Sequence, residues 1–230
     1  MEHWIYTTNI LGHSVSVNLD TIFTMWFAML VVIIFAIFGT RNLSLVPNKL
    51  QAVSESIMKF FYGTLDTMIE HENKKHVPLV ASLFLFIVTA NLMGQLPLRI
   101  IHLKNGGELA SPTNDINLTA AMAVIVLIYY VFMGIKAKGK KFLIHDFSFT
   151  SIVMALVEVL EMFTRPLSLA IRLFANIFAG EILVSIALGA TAYFLPLPIM
   201  LFEILVAFIQ ATVFMMLTIA YIGSAEKEEH

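Results

Sequence analysis

Apolar stretches of about twenty residues recur along this chain, and as a helix each matches the roughly 30 Å hydrocarbon core of a bilayer. They occupy most of the 230 residues, 59% of which are apolar and only 13% charged. With a mean hydropathy of +0.85 the chain falls outside the range of a water-soluble domain. The fold class that follows is an all-α integral membrane protein, with no room for a large soluble catalytic domain. A formal net charge of −2 excludes a polybasic nucleic-acid binder. The lack of cysteine excludes disulfide scaffolds, thiolate nucleophiles and cysteine metal sites.

Five crossings are expected. Residues 1–20 form a polar outer segment with no Lys or Arg before the first apolar run, unlike a cleavable signal peptide. The first span covers 21–38 and stops at Arg41. In 47–76, Val53, Ile57, Phe60, Phe61 and Leu65 recur among charges at three- to four-residue spacing, which reads as an amphipathic helix lying at the interface. The second and third spans, 77–98 and 116–135, enclose an outer loop. The last two runs, 147–189 and 195–222, join through Gly189, Pro196 and Pro198 as a long hairpin within 147–222, leaving 223–230 as a tail. Some forty helical residues reach about 60 Å, twice the core, so the fourth run is expected to tilt strongly or to break, with Pro166 as the bend point. Lys and Arg at 41, 49, 59, 74, 75, 136, 138, 140, 141 and 227 fall on one side, against Arg99 and Lys104 on the other. The positive-inside rule then puts the N-terminus outside and the C-terminus in the cytoplasm.

Two arginines remain, and both lie inside the fourth run. An arginine at mid-helix costs roughly 2.5–3.5 kcal/mol on insertion scales, so Arg172 calls for a compensating function. At 100° per residue its face includes Ser168 and Asn176 about 40° to either side and Arg165 at about 20°, with Ala175 and Ala179 within about 60°. Small residues let another helix approach, so this face is suited to presenting a guanidinium to a partner. Glu181 points about 180° away from Arg172 and lies about 13 Å further along the helix toward the outside. A hairpin turning near 190–195 sets Glu181 level with about 199–209 and Arg172 with about 208–218. Glu203 and Gln210 fall in those windows, on one face of the final helix. Two carboxylates at one depth repel in a low dielectric, so at least one is expected to take up and release a proton near neutrality. Glu158, on the inner part of the tilted helix, is a candidate for exchanging cations there, and Glu161 for that or for pairing with Arg165. Asp115 and Asn117, at the outer start of the third span, are candidates for lining a vestibule.

No metal, cofactor or hydrolytic centre is expected. His71-Glu72 has no second histidine four residues after the first, so it is no zinc site. Neither a phosphate-binding Gly-rich loop nor a Gly-x-Ser-x-Gly elbow occurs, which places any ATP chemistry on another polypeptide.

The stretch Pro166-Leu-Ser-Leu-Ala-Ile-Arg172-Leu-Phe-Ala-Asn176-Ile-Phe-Ala-Gly-Glu181, with Gln210 and Thr218-Ile-Ala-Tyr-Ile-Gly223, closely resembles the subunit a family of F-type ATP synthases. Gly107-Glu-Leu-Ala-Ser-Pro-Thr-Asn-Asp-Ile-Asn117 resembles its bacterial and chloroplast members, and the likeness covers about residues 20 to 225. The resemblance implies a non-catalytic stator subunit of the F0 sector, held in lipid beside a rotating ring of c subunits. The peripheral-stalk b subunits are further partners, and the F1 head is an indirect one. It implies a bacterial plasma membrane, or an organellar inner or thylakoid membrane. It also implies that Arg172 attracts the deprotonated ring carboxylate and separates two offset aqueous half-channels. Asn176 and Gln210 match its polar companions, Glu181 the outer half-channel acid, Glu158 an acid near the inner one, and Asp115 an outer-vestibule position. Position 203 departs from the pattern, because many bacterial members carry histidine there and this chain carries glutamate. The competing reading of the same buried charges is a self-contained cation channel or proton-coupled transporter.

Overall fold

A computed structural model describes residues 5–10, 13–41, 43–45, 47–69, 73–95, 111–138, 149–190 and 196–226. Within them the chain is helical apart from one antiparallel hairpin, β1 (Ile5–Ile10) with β2 (His13–Asn18), in the register Ile5 opposite Asn18. This hairpin lies in the polar segment 1–20, for which no strand is expected from the apolar runs. Its sequence signal is the alternation Ser14-Val15-Ser16-Val17, a period of two.

Helix α1 (Leu19–Thr40) starts after Asn18, which is extended, and carries Asp20 in its first turn, where a negative charge suits the helix dipole. Its buried positions are the small or polar Asp20, Thr24, Ala28 and Gly39, while Phe23, Trp26, Ile33 and Phe38 are exposed. Such a helix is apolar all round and meets its neighbours through small residues, as expected of a lipid-facing element. At Gly39 a Cβ would stand 2.3 Å from Ser54 Oγ, so only glycine permits this approach of α2 (Lys49–Met68). Helix α2 is amphipathic. Phe61 and Leu65 are buried and Lys49, Lys59 and Asp66 exposed. It ends at Ile69, whose N–H reaches Leu65 O at 2.8 Å. The interfacial segment expected over 47–76 is thus one helix, then a 3-10 turn at Asn73–His76.

Helices α3 (Val77–Gln95) and α6 (Pro196–Glu226) form the centre of the bundle, with α4 (Ile116–Lys138) and α5 (Phe149–Ala190) packed against each other beside them. Ile87, Val126, Leu173, Phe214, Ile219 and Ile222 form the core they share with Phe61 and Leu65 of α2. Ring contacts at 5.4 Å from Phe61 to Phe84 and 5.7 Å from Phe84 to Phe208 tie three helices together. At one end, buried His76 Nδ1 lies 3.0 Å from Tyr129 OH and its Nε2 3.2 Å from Glu226 Oε2. Lys75 Nζ closes that group at 2.9 Å from Glu226 Oε1.

Five helices are long and apolar enough to cross a membrane: Leu19–Thr40, Lys74–Gly94, Ile116–Ala137, Phe163–Gly189 and Pro196–Glu226. Helix α5 is one unbroken 42-residue element with Pro166 inside it. Of the two outcomes expected from its length, the break does not occur. The span-capable part begins at Phe163, so the residues before it need not lie in hydrocarbon. The connection between α5 and α6 at 191–195, the loop with Arg99 and Lys104, His71, Glu72 and the C-terminal Lys227 all lie outside the described residues.

Candidate functional site

Helix α5 divides its residues between two environments. Leu169, Leu173, Ile177 and Glu181 follow each other at four-residue intervals along its buried face. Ser168, Arg172, Ala175 and Ala179 lie on its exposed side, with Asn176 half-buried at the edge. Among the described residues Arg172 has no hydrogen bond or ion pair. It projects from the bundle on a small-residue surface, although it lies well inside the span Phe163–Gly189.

The second arginine behaves differently. Arg165 pairs with Glu161 one turn earlier, donates from Nη1 to Ser224 Oγ at 3.1 Å and sits 5.0 Å over the Tyr221 ring. It therefore clamps α5 to the end of α6. Glu161 takes the paired role of the two weighed for it. Glu158 lies on α5, but its side chain is outside those described.

On α6, Glu203, Ala207, Gln210, Ala211 and Phe214 share the buried face. The depth estimate for the hairpin thus agrees with the placement of Glu203. Its Oε1 lies 2.6 Å from where a Cβ would stand on Gly180, the residue beside Glu181. Glycine at 180 makes room for this carboxylate. Glu181 and Glu203 are both buried, at 5% and 8% exposure, and Glu203 stands against the residue next to Glu181. Gln210 is also buried, and its Nε2 has no hydrogen-bond partner among the described residues. No hydrogen bond joins it to Arg172 among those residues.

One member of this region carries no signal in the sequence pattern. Asn114 Nδ2 donates to Glu181 Oε2 at 2.6 Å, across 67 residues of chain. Asn114 ends a 3-10 turn, Pro112–Asn114, that rests on α3. There Ser111 Oγ donates to Ala90 O at 3.0 Å, and Thr113 Oγ1 donates to Asn91 Oδ1 at 2.8 Å. At Gly94 a Cβ would meet Ser111 Cβ at 2.7 Å, so glycine is what lets the turn sit this close.

Asp115 and Asn117, candidates for a vestibule, are hydrogen-bonded to each other at the start of α4. Asp115 Oδ1 accepts from the Asn117 backbone N–H at 2.9 Å, which caps α4, and from Asn117 Nδ2 at 2.9 Å. Its Oδ2 accepts from Asn18 Nδ2 at 2.8 Å and from Thr21 Oγ1 at 3.3 Å, which ties the start of α1 to the start of α4. Partial burial pushes the Asp115 carboxyl up, but the hydrogen bonds from Asn18, Asn117 and Thr21 outweigh it and hold the group below its ordinary value.

Chemically the arrangement offers a fixed positive charge on an outer face and two buried acids on the other side of the same helix. Among the described residues no group of three or more His, Cys, Asp or Glu stands ready for a metal ion. The family profile described as ATP synthase A chain matches residues 22–223. The chain is 41% identical over 218 residues to ATP synthase subunit a of Gloeobacter violaceus, covering 93% of this chain and 86% of that one. It is 36% identical over 231 residues to the chloroplastic ATP synthase subunit a of Stigeoclonium helveticum, covering 100% and 92% respectively.

Proposed function

The chain belongs to the ATP synthase A chain family, and from there we propose that it is the proton-translocating stator subunit of a rotary ATP synthase. It provides two offset aqueous half-channels to the c ring, and Arg172 keeps them apart. The observation that carries this reading is the exposure of Arg172, without a partner among the described residues, in mid-span of an apolar helix. Left to face lipid, the guanidinium would be costly, so its face calls for a negative group from outside the chain. A ring carboxylate supplies that group.

Arg172 stabilises the carboxylate in its ionised form as it passes, because the attraction is strong where water is excluded. The same charge repels a free cation, so ions cross only by riding the rotor. Small Ala175 and Ala179 leave room for the ring helix, while Ser168 and Asn176 offer polar contacts beside the arginine. Gln210, on α6, is the polar companion that the family resemblance assigns to the arginine. Protons enter or leave on the outer side through Glu181 and Glu203, and Glu158 serves the inner side. Asp115 and Asn117 hold the outer end of the bundle in shape. Each elementary charge that crosses 100 mV releases about 2.3 kcal/mol, so several crossings are summed for one ATP made in the F1 head. The N-terminus lies outside and the C-terminus in the cytoplasm of a bacterial plasma membrane, with the b subunits of the peripheral stalk holding the chain against rotation. No ATP is hydrolysed on this polypeptide.

The test is Arg172→Ala in the assembled complex. ATP synthesis driven by a proton gradient should be abolished while the soluble head still hydrolyses ATP; retained synthesis would refute the role given to Arg172.

A further inference from the structure

We propose that Asn114 is a positioning residue for the outer acid Glu181, fixing its carboxylate by the hydrogen bond from Nδ2 to Oε2. The inference rests on the reading of Glu181 as an ion-carrying group. A glutamate has three rotatable side-chain bonds, and on a helix beside a second carboxylate it has several places to go. Proton exchange needs the acid within hydrogen-bond reach of its donor and acceptor, so a wandering side chain is a slow one. The 2.6 Å contact from Asn114 removes that freedom. An amide N–H is also suited to the task because it gives no proton away. It supports the carboxylate after the proton has left and takes no part in the transfer.

The surroundings of Asn114 are those of a built support. The turn that carries it is held to α3 by Ser111 on Ala90 O and by Thr113 on Asn91 Oδ1, and Ser111 and Thr113 hydroxyls are themselves 2.8 Å apart. Ser111, Thr113 and Asn91 are all buried, and the backbone N–H of Asn114 donates to Ser111 O at 3.0 Å. The position of the Glu181 carboxylate is thereby referred to α3, in the centre of the bundle, as well as to its own helix. Asn114 does for the outer acid what outer-shell partners do for ligating side chains, which is to set orientation.

The experiment uses membrane vesicles with the complete ATP synthase and reads ATP-driven proton pumping, with the amount of this chain in the purified complex as the control for assembly. Asn114→Leu should assemble and reduce pumping about tenfold, the loss that corresponds to one charge-assisted hydrogen bond. The decisive set exchanges side-chain length across the contact. Glu181→Asp withdraws the acid by one methylene and should also cost about tenfold, while Asn114→Gln extends the amide by one, so the double variant should recover to within about threefold of the parent. A merely structural Asn114 predicts no such rescue. Pumping at the parent level in Asn114→Leu, or a double variant no better than Glu181→Asp alone, overturns the proposal. If Asn114→Leu fails to assemble, the length exchange decides. Glu181→Gln separates the two levels: normal pumping there sinks the reading of Glu181 itself. A dead Glu181→Gln with a fully active Asn114→Leu sinks only the role of Asn114.

Discussion

Arg172 and Glu181 stand on one helix, nine residues apart, and meet opposite surroundings. Among the described residues the arginine is exposed on an uncovered side of α5, and the glutamate is buried and hydrogen-bonded to Asn114 of the Pro112–Asn114 turn. An ordinary folding logic would reverse this for a chain alone in lipid, which is why the arginine points to a partner. Arg172→Lys should be nearly as damaging to ATP synthesis as removal of the charge, because a desolvated ammonium can lose its proton and lacks the planar fork. Synthesis after an imposed pH and potential jump in proteoliposomes is the measurement. Gly180→Ala makes a finer probe. The added Cβ would stand 2.6 Å from Glu203 Oε1, the far end of a side chain that can move aside. Helix propensity favours alanine by about 1 kcal/mol, so the variant should assemble normally and yet lose proton flux by displacing that acid. A parallel loss of assembly and flux would contradict this. At this scale the arginine was legible because charge in an apolar run is costly wherever it occurs. Asn114 was not, because nothing in a polar loop marks the one amide that reaches across 67 residues to a carboxylate.

Among the elements, the long helix and the first turn of α4 repay comparison with their sequences. Pro166 deprives α5 of one backbone N–H, but the helix continues through it for 42 residues. Length arithmetic alone left break and tilt open, since it counts residues and not the packing that supports both halves. Here Leu169, Ala170 and Leu173 lie buried just after the proline, and Arg165 just before it is clamped to Tyr221 and Ser224. The β1–β2 hairpin shows the reverse case, in which alternation over a few residues was a weak signal beside strong apolar runs. Asp115 joins that N-terminal region to α4, and its behaviour with pH follows from its hydrogen bonds. Its carboxyl is held below the ordinary value in the folded chain, so the stability it adds is present above about pH 4 and is lost as pH falls through the lower folded value. Asp115→Ala should lower stability at neutral pH by about 1 kcal/mol through the lost cap and flatten the acid limb of the unfolding profile. Thermal unfolding of the purified complex between neutral and acid pH reads both effects. An unchanged acid limb in the variant would remove Asp115 from this account.

Over the whole molecule, burial increases from the rim to the centre. The α1 span is 17% buried and the α3 span 50%, although both are apolar enough to cross a membrane. Hydropathy cannot separate them, because lipid and protein interior reward the same side chains. Separation comes from which helices touch: α3 lies against α6, α1 and α2, whereas the buried positions of α1 are few and small or polar. The surface of α5 bearing Arg172 is left open by this arrangement, which leads to a prediction for the isolated chain. Reconstituted in liposomes without a c ring, it should pass protons no faster than liposomes without protein, since under the proposed function each half-channel ends at the ring. Robust flux from the chain by itself would favour the channel or transporter reading.

The sequence by itself determined the solvent, the number of crossings and the family: five apolar runs of bilayer length, and a set of charges too costly in hydrocarbon to be accidental. It also set Glu203 beside Gly180, because two successive helices packed against each other convert distance along the chain into depth. The tertiary structure decided which way each polar group faces and what it touches. It sent Arg165 to α6 and left Arg172 open, turned Asp115 to the framework and brought Asn114 to Glu181. Such outcomes depend on contacts between residues far apart in sequence, and those contacts exist only once the helices have packed.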